Sequence, residues 1–205
     1  FKDFSSEEIM NERKNKFLKI GRSKGFVTNP DDLSTLSIKK NNIDKIIKSK
    51  NIHAMAGVSD LSTRSLVTFI DNLKFAKELI KDSNIGLVIE PLNLKDNPGY
   101  FLTKIEQAKE ICELVGSDSV KIMFDFYHIQ INQGNVMERF REHLPYIGHV
   151  QIASVQDRSE PDKGELDFNY IIPEIYKIGY KSIIGAEYKP KTTTEEGLGW
   201  MKKFN

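Results

Sequence analysis

Residues 120–126 read VKIMFDF, a run too brief for a helix, too apolar and β-branched for a loop, and carrying a carboxylate, Asp125, at its far end. Four more runs have the same form: NIHAMA at 51–56, GLVIEP at 86–91, GHVQIA at 148–153 and SIIGAE at 182–187. In chain order the five starts lie 35, 34, 28 and 34 residues apart. Each gap holds a segment whose apolar residues recur at helical spacing, so the chain repeats a strand–helix unit. Mostly apolar strands alternating with helices predict a parallel sheet covered by helices, either open and doubly wound or closed as a (β/α) barrel of the TIM type. An open nucleotide-binding sheet needs a glycine-rich turn after its first strand, and none of the five runs leads into GxGxxG or GxxxxGK[ST]. Polar and charged side chains stand at the strand ends instead, which favours the barrel.

The helices announce themselves by stripe and cap. Leu66, Phe69, Ile70, Leu73, Phe75, Ala76, Leu79 and Ile80 follow the i, i+3, i+4 spacing of a face packed on a sheet. Thr103 with Glu106 reads as a capping box opening a helix through Ala108, Ile111 and Leu114 to Gly116. Further helices fit 135–143, 168–178 and 194–204, with Gly179 suited to a left-handed C-cap. Residues 1–50 differ in character. Ser5 or Ser6 caps a helix over Glu7 to Ile20, 21–30 has turn character, and 33–48 makes a second, lysine-rich helix. Eight units of roughly 31 residues need about 250 residues, so 51–205 reads as a partial barrel of about five units whose first strands are missing or replaced. The chain starts at Phe1 rather than Met, which reads as a processed product or a fragment.

Composition sets the outer limits. The chain has 205 residues, 30 basic and 29 acidic, with 39% apolar and 10% aromatic residues, an ordinary globular make-up. No stretch approaches the ~18 consecutive apolar residues of a membrane span, and no signal peptide is recognisable, so a cytoplasmic protein is expected. Cys112 is the one cysteine, which excludes an internal disulfide framework and a cysteine zinc site and suits a helix face. A net charge of +1 gives no reason to expect nucleic acid. The charge is uneven, with 12 basic and 7 acidic residues in 1–50 against 18 and 22 afterwards.

Chemistry-bearing residues come into phase at the strand ends. Glu90, Asp125, Gln151 and Glu187 each stand at the C-terminal end of a strand, where this fold places its active site. Three carboxylates and an amide oxygen form a hard-oxygen set suited to Mg²⁺ or Mn²⁺ and not to a structural zinc. Without a cation they would repel one another and hold raised pKa values. Taken singly, each reads equally as a helix N-cap or a surface charge; it is the coincidence on four strands that argues for a site.

The segments HAMAG (53–57), FIDNLKFA (69–76), VIEPLN (88–93), FDFYH (124–128), GHVQIA (148–153), DRSEPDKGELDF (157–168), GAEYKP (185–190) and TEEGLGW (194–200) resemble hydroxypyruvate isomerase, of the xylose-isomerase-like barrel superfamily. The resemblance covers roughly 51–200. The gaps of 35, 26 and 36 residues between Glu90, Asp125, Gln151 and Glu187 are close to that family's own, and glutamine as third ligand separates it from sugar epimerases. It implies interconversion of hydroxypyruvate and tartronate semialdehyde. Moving a carbonyl between adjacent carbons by proton transfer needs a base, an acid and a cation. Glu90 and Glu187 are then the catalytic pair and also metal ligands, with Asp125 and Gln151 completing the shell. His128 is placed to donate to a substrate oxygen, as the superfamily's histidine there does, with a plain structural histidine as the other reading. Arg158 pairs with the substrate carboxylate or closes a loop salt bridge, and Lys189 is a second candidate for the carboxylate or a solvated lysine. His149 supports Gln151 from below, while His53, taken to begin a strand, and His143 default to structure. The family usually reads DRHEP on the long loop, where this chain has Ser159. Two other readings stand beside the isomerase. One is another sugar isomerase or epimerase on the same scaffold, and the other an inactive remnant that binds a partner, or itself, through an open sheet edge.

Overall fold

A computed structural model describes residues 50–204. Five strands, β1 (Asn51–His53), β2 (Gly86–Ile89), β3 (Val120–Asp125), β4 (Ile147–Ile152) and β5 (Ile184–Ala186), form one sheet in the order β1-β2-β3-β4-β5. Every pairing is parallel. The helices are α1 (Thr63–Ile80), α2 (Ile105–Val115), α3 (Phe126–Asn132), α4 (Val136–His143), α5 (Phe168–Ile178) and α6 (Thr194–Gly197). This is the five-unit run of a TIM-type barrel wall that the sequence predicts. The two helices expected within 1–50 lie outside the described residues. No helix among the described residues is long and apolar enough to cross a membrane.

The core lies between one face of the sheet and the helices. Leu87, Ile89, Ile122, Phe124, Val150 and Ile152 alternate along the strands and pack in one cluster with Leu73, Ile105, Ile111, Phe140, Phe168 and Ile175 from the helices. Burying such side chains stabilises the fold by about 1.5–3 kcal/mol each. Cys112, on α2, is fully buried in the same cluster. The alternate strand positions carry Glu90, Asp125 and Gln151 to the other face, as a period of two requires.

Phase is kept by two glycines. The β3–β4 register shifts between Ile122 and Met123, pairing Ile122 with Ile147 and Met123 with His149, so Gly148 is the bulge residue that the ladder skips. A Cβ on Gly148 would stand 2.5 Å from Lys121 Cβ. The bulge sets Asp125 opposite Gln151. On β5, a Cβ on Gly185 would lie 3.0 Å from His149 Nε2 and 3.5 Å from Gln151 Cγ.

Helix boundaries follow local capping. Gly116 (φ 109°) and Gly179 (φ 121°) end α2 and α5 in conformations open to glycine. The expected Thr103–Glu106 capping box is not made: Lys104 is the N-cap of α2 without a side-chain bond. Gln133 Oε1 accepts from the Ile105 N–H at 2.9 Å instead, and the Glu106 carboxylate turns outward to Gln133 and Arg139. The third strand ends one residue sooner than its apolar run, because Asp125 caps α3 by accepting from the Tyr127 N–H at 2.9 Å. The last expected helix divides into α6 and a 3-10 segment, Leu198–Lys203. There Trp200 packs against Tyr188 with ring centroids 6.1 Å apart.

Candidate active site

Each strand end delivers one group. Glu90 follows β2, Asp125 closes β3, Gln151 lies in β4 and Glu187 follows β5, tied on by its N–H donating to Ile152 O at 3.2 Å. Glu90 and Asp125 are 3% and 1% exposed, whereas the Glu187 side chain is 55% exposed. α3, starting directly after Asp125, brings buried His128 over the same spot, its Nε2 3.7 Å from Asp125 Oδ2 and 4.0 Å from Glu90 Oε1.

Arg158 reaches in from the loop after β4. Its backbone is left-handed (φ 56°), a conformation sparsely populated by non-glycine residues. It is held there by its N–H donating to Ser154 O at 2.9 Å and by Lys189 N–H donating to its carbonyl at 2.7 Å. The guanidinium stands 5.1 Å from the centroid of the Tyr127 ring, 3.3 Å from Glu187 Oε1 and 3.9 Å from Asp125 Oδ2. Lys189 is exposed at the rim, joined to the site through that backbone bond. Ser159, at the position of the family's loop histidine, is buried and spends its hydroxyl on Asp157 Oδ1 at 2.9 Å. Glu160 accepts from the Lys191 N–H at 3.0 Å, locking the loop after β5.

Two residues enter that the sequence reading left to structure or passed over. His53 does not begin β1 but ends it, level with Val88 on β2, and its Nε2 comes 3.6 Å from Glu90 Oε2. No local signal marks it, because the apolar run at 51–56 puts His53 in mid-run and only the β1–β2 register brings it beside Glu90. Asn93, fully buried after β2, contacts the His128 ring. By contrast, His143 bonds Arg139 O at 2.8 Å within α4, a structural place as expected.

Five buried atoms among the described residues have no hydrogen-bond partner: His53 Nε2, Glu90 Oε1, Asp125 Oδ2, His128 Nε2 and Gln151 Oε1. Orphaned buried polar atoms are costly and rare; four of the five side chains form a chain from His53 through Glu90 and His128 to Asp125, each within 4.0 Å of the next, and Gln151 is the β4 residue paired with Asp125. Glu90, Asp125 and His128 each offer a ligand atom, mutually within 4.8 Å, so the group can hold a metal ion. Burial, then repulsion from Asp125 and Glu187, pushes the Glu90 carboxyl up to about 9 against the pull of Arg158. Burial likewise raises Asp125, to about 7, opposed by the Tyr127 N–H and Arg158. His128 is pushed down to about 3 by burial and by Arg158, and burial also lowers His53 and His149.

These directions predict a pH-dependent stability. Glu90's folded pKa lies above its unfolded value, so between the two the folded chain keeps a proton that the unfolded chain has lost, and stability falls as pH rises. The histidines, with lowered pKa values, work the other way, but only below about pH 6.5, the ordinary histidine pKa. From pH 7 to about 8 the carboxyls act alone, and above that the Cys112 thiol, which burial pushes up to about 12, adds a fall of the same sign; one proton is worth up to about 1.4 kcal/mol per pH unit. Without divalent cations the chain's melting temperature should fall across that range, and Mn²⁺ or Glu90→Gln should flatten the fall. A flat profile for the cation-free chain would contradict the raised carboxyls.

The comparisons with known proteins point the same way. A family model described as the xylose isomerase-like TIM barrel matches residues 43–204. The 2-oxo-tetronate isomerase of Cupriavidus necator is 39% identical over 162 residues, covering 78% of this chain and 62% of that protein. Hydroxypyruvate isomerase of Escherichia coli K12 is 35% identical over 163 residues, covering 78% and 63%. The crystal structure of an AP endonuclease, family 2, from Brucella melitensis superposes with a TM-score of 0.75 at 34% identity, covering 79% of this chain and 64% of that one. The chain spans about three fifths of the length of the curated relatives it matches.

Proposed function

The chain belongs to the xylose isomerase-like TIM barrel family, and from that premise we propose that it is a metal-dependent isomerase that interconverts hydroxypyruvate and tartronate semialdehyde. The observation that carries the reading is the set of three buried oxygens, on Glu90, Asp125 and Gln151, that converge from adjacent strands without a single donor. Oxygens left bare in this way suit a hard divalent cation, Mg²⁺ or Mn²⁺, better than a nitrogen-loving one. Glu90, Asp125, Gln151 and Glu187 would hold it. Its chemistry, when bound, is to stabilise the negative oxygen that develops on the substrate.

The side chains do the rest. Arg158 binds the substrate carboxylate, which its planar fork of donors fits, and Lys189 at the rim adds a second positive charge for the incoming acid. One glutamate takes a proton from C3 of hydroxypyruvate, the electron pair forms the C2–C3 enediolate, and the other glutamate returns a proton to C2. The hydroxyl proton moves from the C3 oxygen to the C2 oxygen, so the formula is unchanged and no redox partner is needed. Running backward, Glu90 and Glu187 exchange roles. The His128 Nε2–H donates to a substrate oxygen, filling one of the orphaned positions.

A second substrate deserves equal testing, because one relative is named for 2-oxo-tetronate, a longer chain. The experiment is turnover of hydroxypyruvate and of 2-oxo-tetronate by the purified chain with Mg²⁺ or Mn²⁺, repeated with a chelator. Metal-dependent turnover is expected, with KM raised about tenfold or more by Arg158→Ala, as for loss of a charged hydrogen-bonded pair. A folded, metal-bound chain that turns over neither acid would overturn the proposal in favour of the inactive remnant.

A further inference from the structure

His128 can in principle enter the site in two ways, as a ligand of the cation or as a donor to the substrate, and its hidden ring nitrogen decides between them. Nδ1 receives the Asn93 backbone N–H at 3.1 Å and lies 2.8 Å from Asn93 Nδ2. The amide's orientation is fixed independently. Asn93 Oδ1 accepts from the Asp96 N–H at 2.8 Å, and Nδ2 donates to Asp96 Oδ2 at 3.0 Å. Asp96 Oδ2 in turn accepts from the Tyr127 hydroxyl at 2.6 Å. An amide flipped the other way would set its oxygen against a carboxylate and its NH₂ against an N–H. The NH₂ therefore faces Nδ1 with its second hydrogen, and two donors converge on one nitrogen.

A nitrogen that accepts from two donors carries no proton, so a neutral imidazole must carry its proton on Nε2. Nε2 is the buried atom left without a partner, facing Glu90 and Asp125. A protonated ring nitrogen has no lone pair for a metal. Metal-binding histidines in general donate their second nitrogen to a carboxylate or carbonyl, and Asn93 reverses that arrangement.

We propose that Asn93 is a positioning residue that locks His128 as the Nε2–H tautomer, so that His128 serves the site as a hydrogen-bond donor and not as a metal ligand. The proposal deepens the isomerase reading and rests on it for its kinetic consequence; the tautomer belongs to the chain alone. The reverse set-up, with Nδ1–H and a bare Nε2, would compete with Gln151 for the cation and leave the substrate oxygen without its donor.

The test is long-range ¹H–¹⁵N correlation spectroscopy of the full chain labelled at histidine, first without metal and then with Zn²⁺, the probe most inclined to bind imidazole. His128 is expected to show an unprotonated Nδ1 and a protonated Nε2 in both conditions. A protonated Nδ1, or an Nε2 that loses its proton to Zn²⁺, would overturn the proposal. Asn93→Asp replaces one donor by an acceptor and should populate the Nδ1–H form, with kcat lowered about tenfold and KM little changed; unaltered His128 resonances would refute the role of the amide. Should that variant not fold, His128→Gln keeps an N–H near the same point and should hold Mn²⁺ within about threefold of the parent affinity. A weakening beyond tenfold would mark His128 as a ligand. Absence of turnover with the expected tautomer would count against the isomerase reading alone.

Discussion

Glu187→Gln is expected to leave the chain folded and to lower kcat for hydroxypyruvate by about a thousandfold, the scale of losing a positioned proton-transfer group. The amide keeps the carboxylate's shape but cannot take up or deliver a proton. Its structural cost is small, because the side chain is 55% exposed and its partner within 4 Å is Arg158 at 3.3 Å; a partly exposed pair of this kind contributes about 0–1 kcal/mol. Steady-state turnover beside a thermal melt separates the two effects. An unchanged melt with collapsed kcat is the expected pair of results. Turnover near the parent rate would remove Glu187 from the proton path and leave Glu90 to find another partner.

The barrel wall was legible because its signals are local and repeated. Short apolar runs, helical stripes and the C-cap glycines Gly116 and Gly179 each depend on a few neighbouring residues, and the elements they mark reappear, although Phe75 and Leu79, expected on the packed face of α1, turn to solvent. What the sequence could not show depends on contacts between distant residues. The capping box failed because Gln133, on the far side of β3, reaches the Ile105 N–H first. β3 ends one residue before its apolar run does because Asp125 serves both as strand end and as cap of α3, a double duty that an apolar pattern hides. The place of His53 in the site is hidden from the sequence because its reach to Glu90 follows from the β1–β2 register. Asn93 was invisible for the same reason: VIEPLN names the residue, but only the fold places His128, 35 residues on, against its amide.

Phe126→Ala should cost about 3–5 kcal/mol of stability, the range for truncating a fully buried phenylalanine. The ring joins four elements at once, lying 4.9 Å from Phe124 on β3, 5.8 Å from Phe140 on α4 and 6.2 Å from Phe168 on α5 between ring centroids. Truncation leaves a cavity walled by three other rings, which cannot collapse without moving β3 or the helices. The site feels this directly. α3 has seven residues, too few to hold helical form by hydrogen bonding alone, so the burial of Phe126 and Ile129 is what keeps Asp125 capping one end and His128 above it. Denaturant unfolding should show the midpoint falling, and Mn²⁺ affinity should fall with it as Asp125 loses its fixed aim. Phe75→Ala on α1 is the control: that ring is 56% exposed, and its loss should stay within about 0.5 kcal/mol, as for a surface change. Equal, small effects at both positions would mean that the aromatic cluster does not set the β3–α3 corner, and that the aim of Asp125 and His128 comes from the strand ladder and the Asn93 contacts instead.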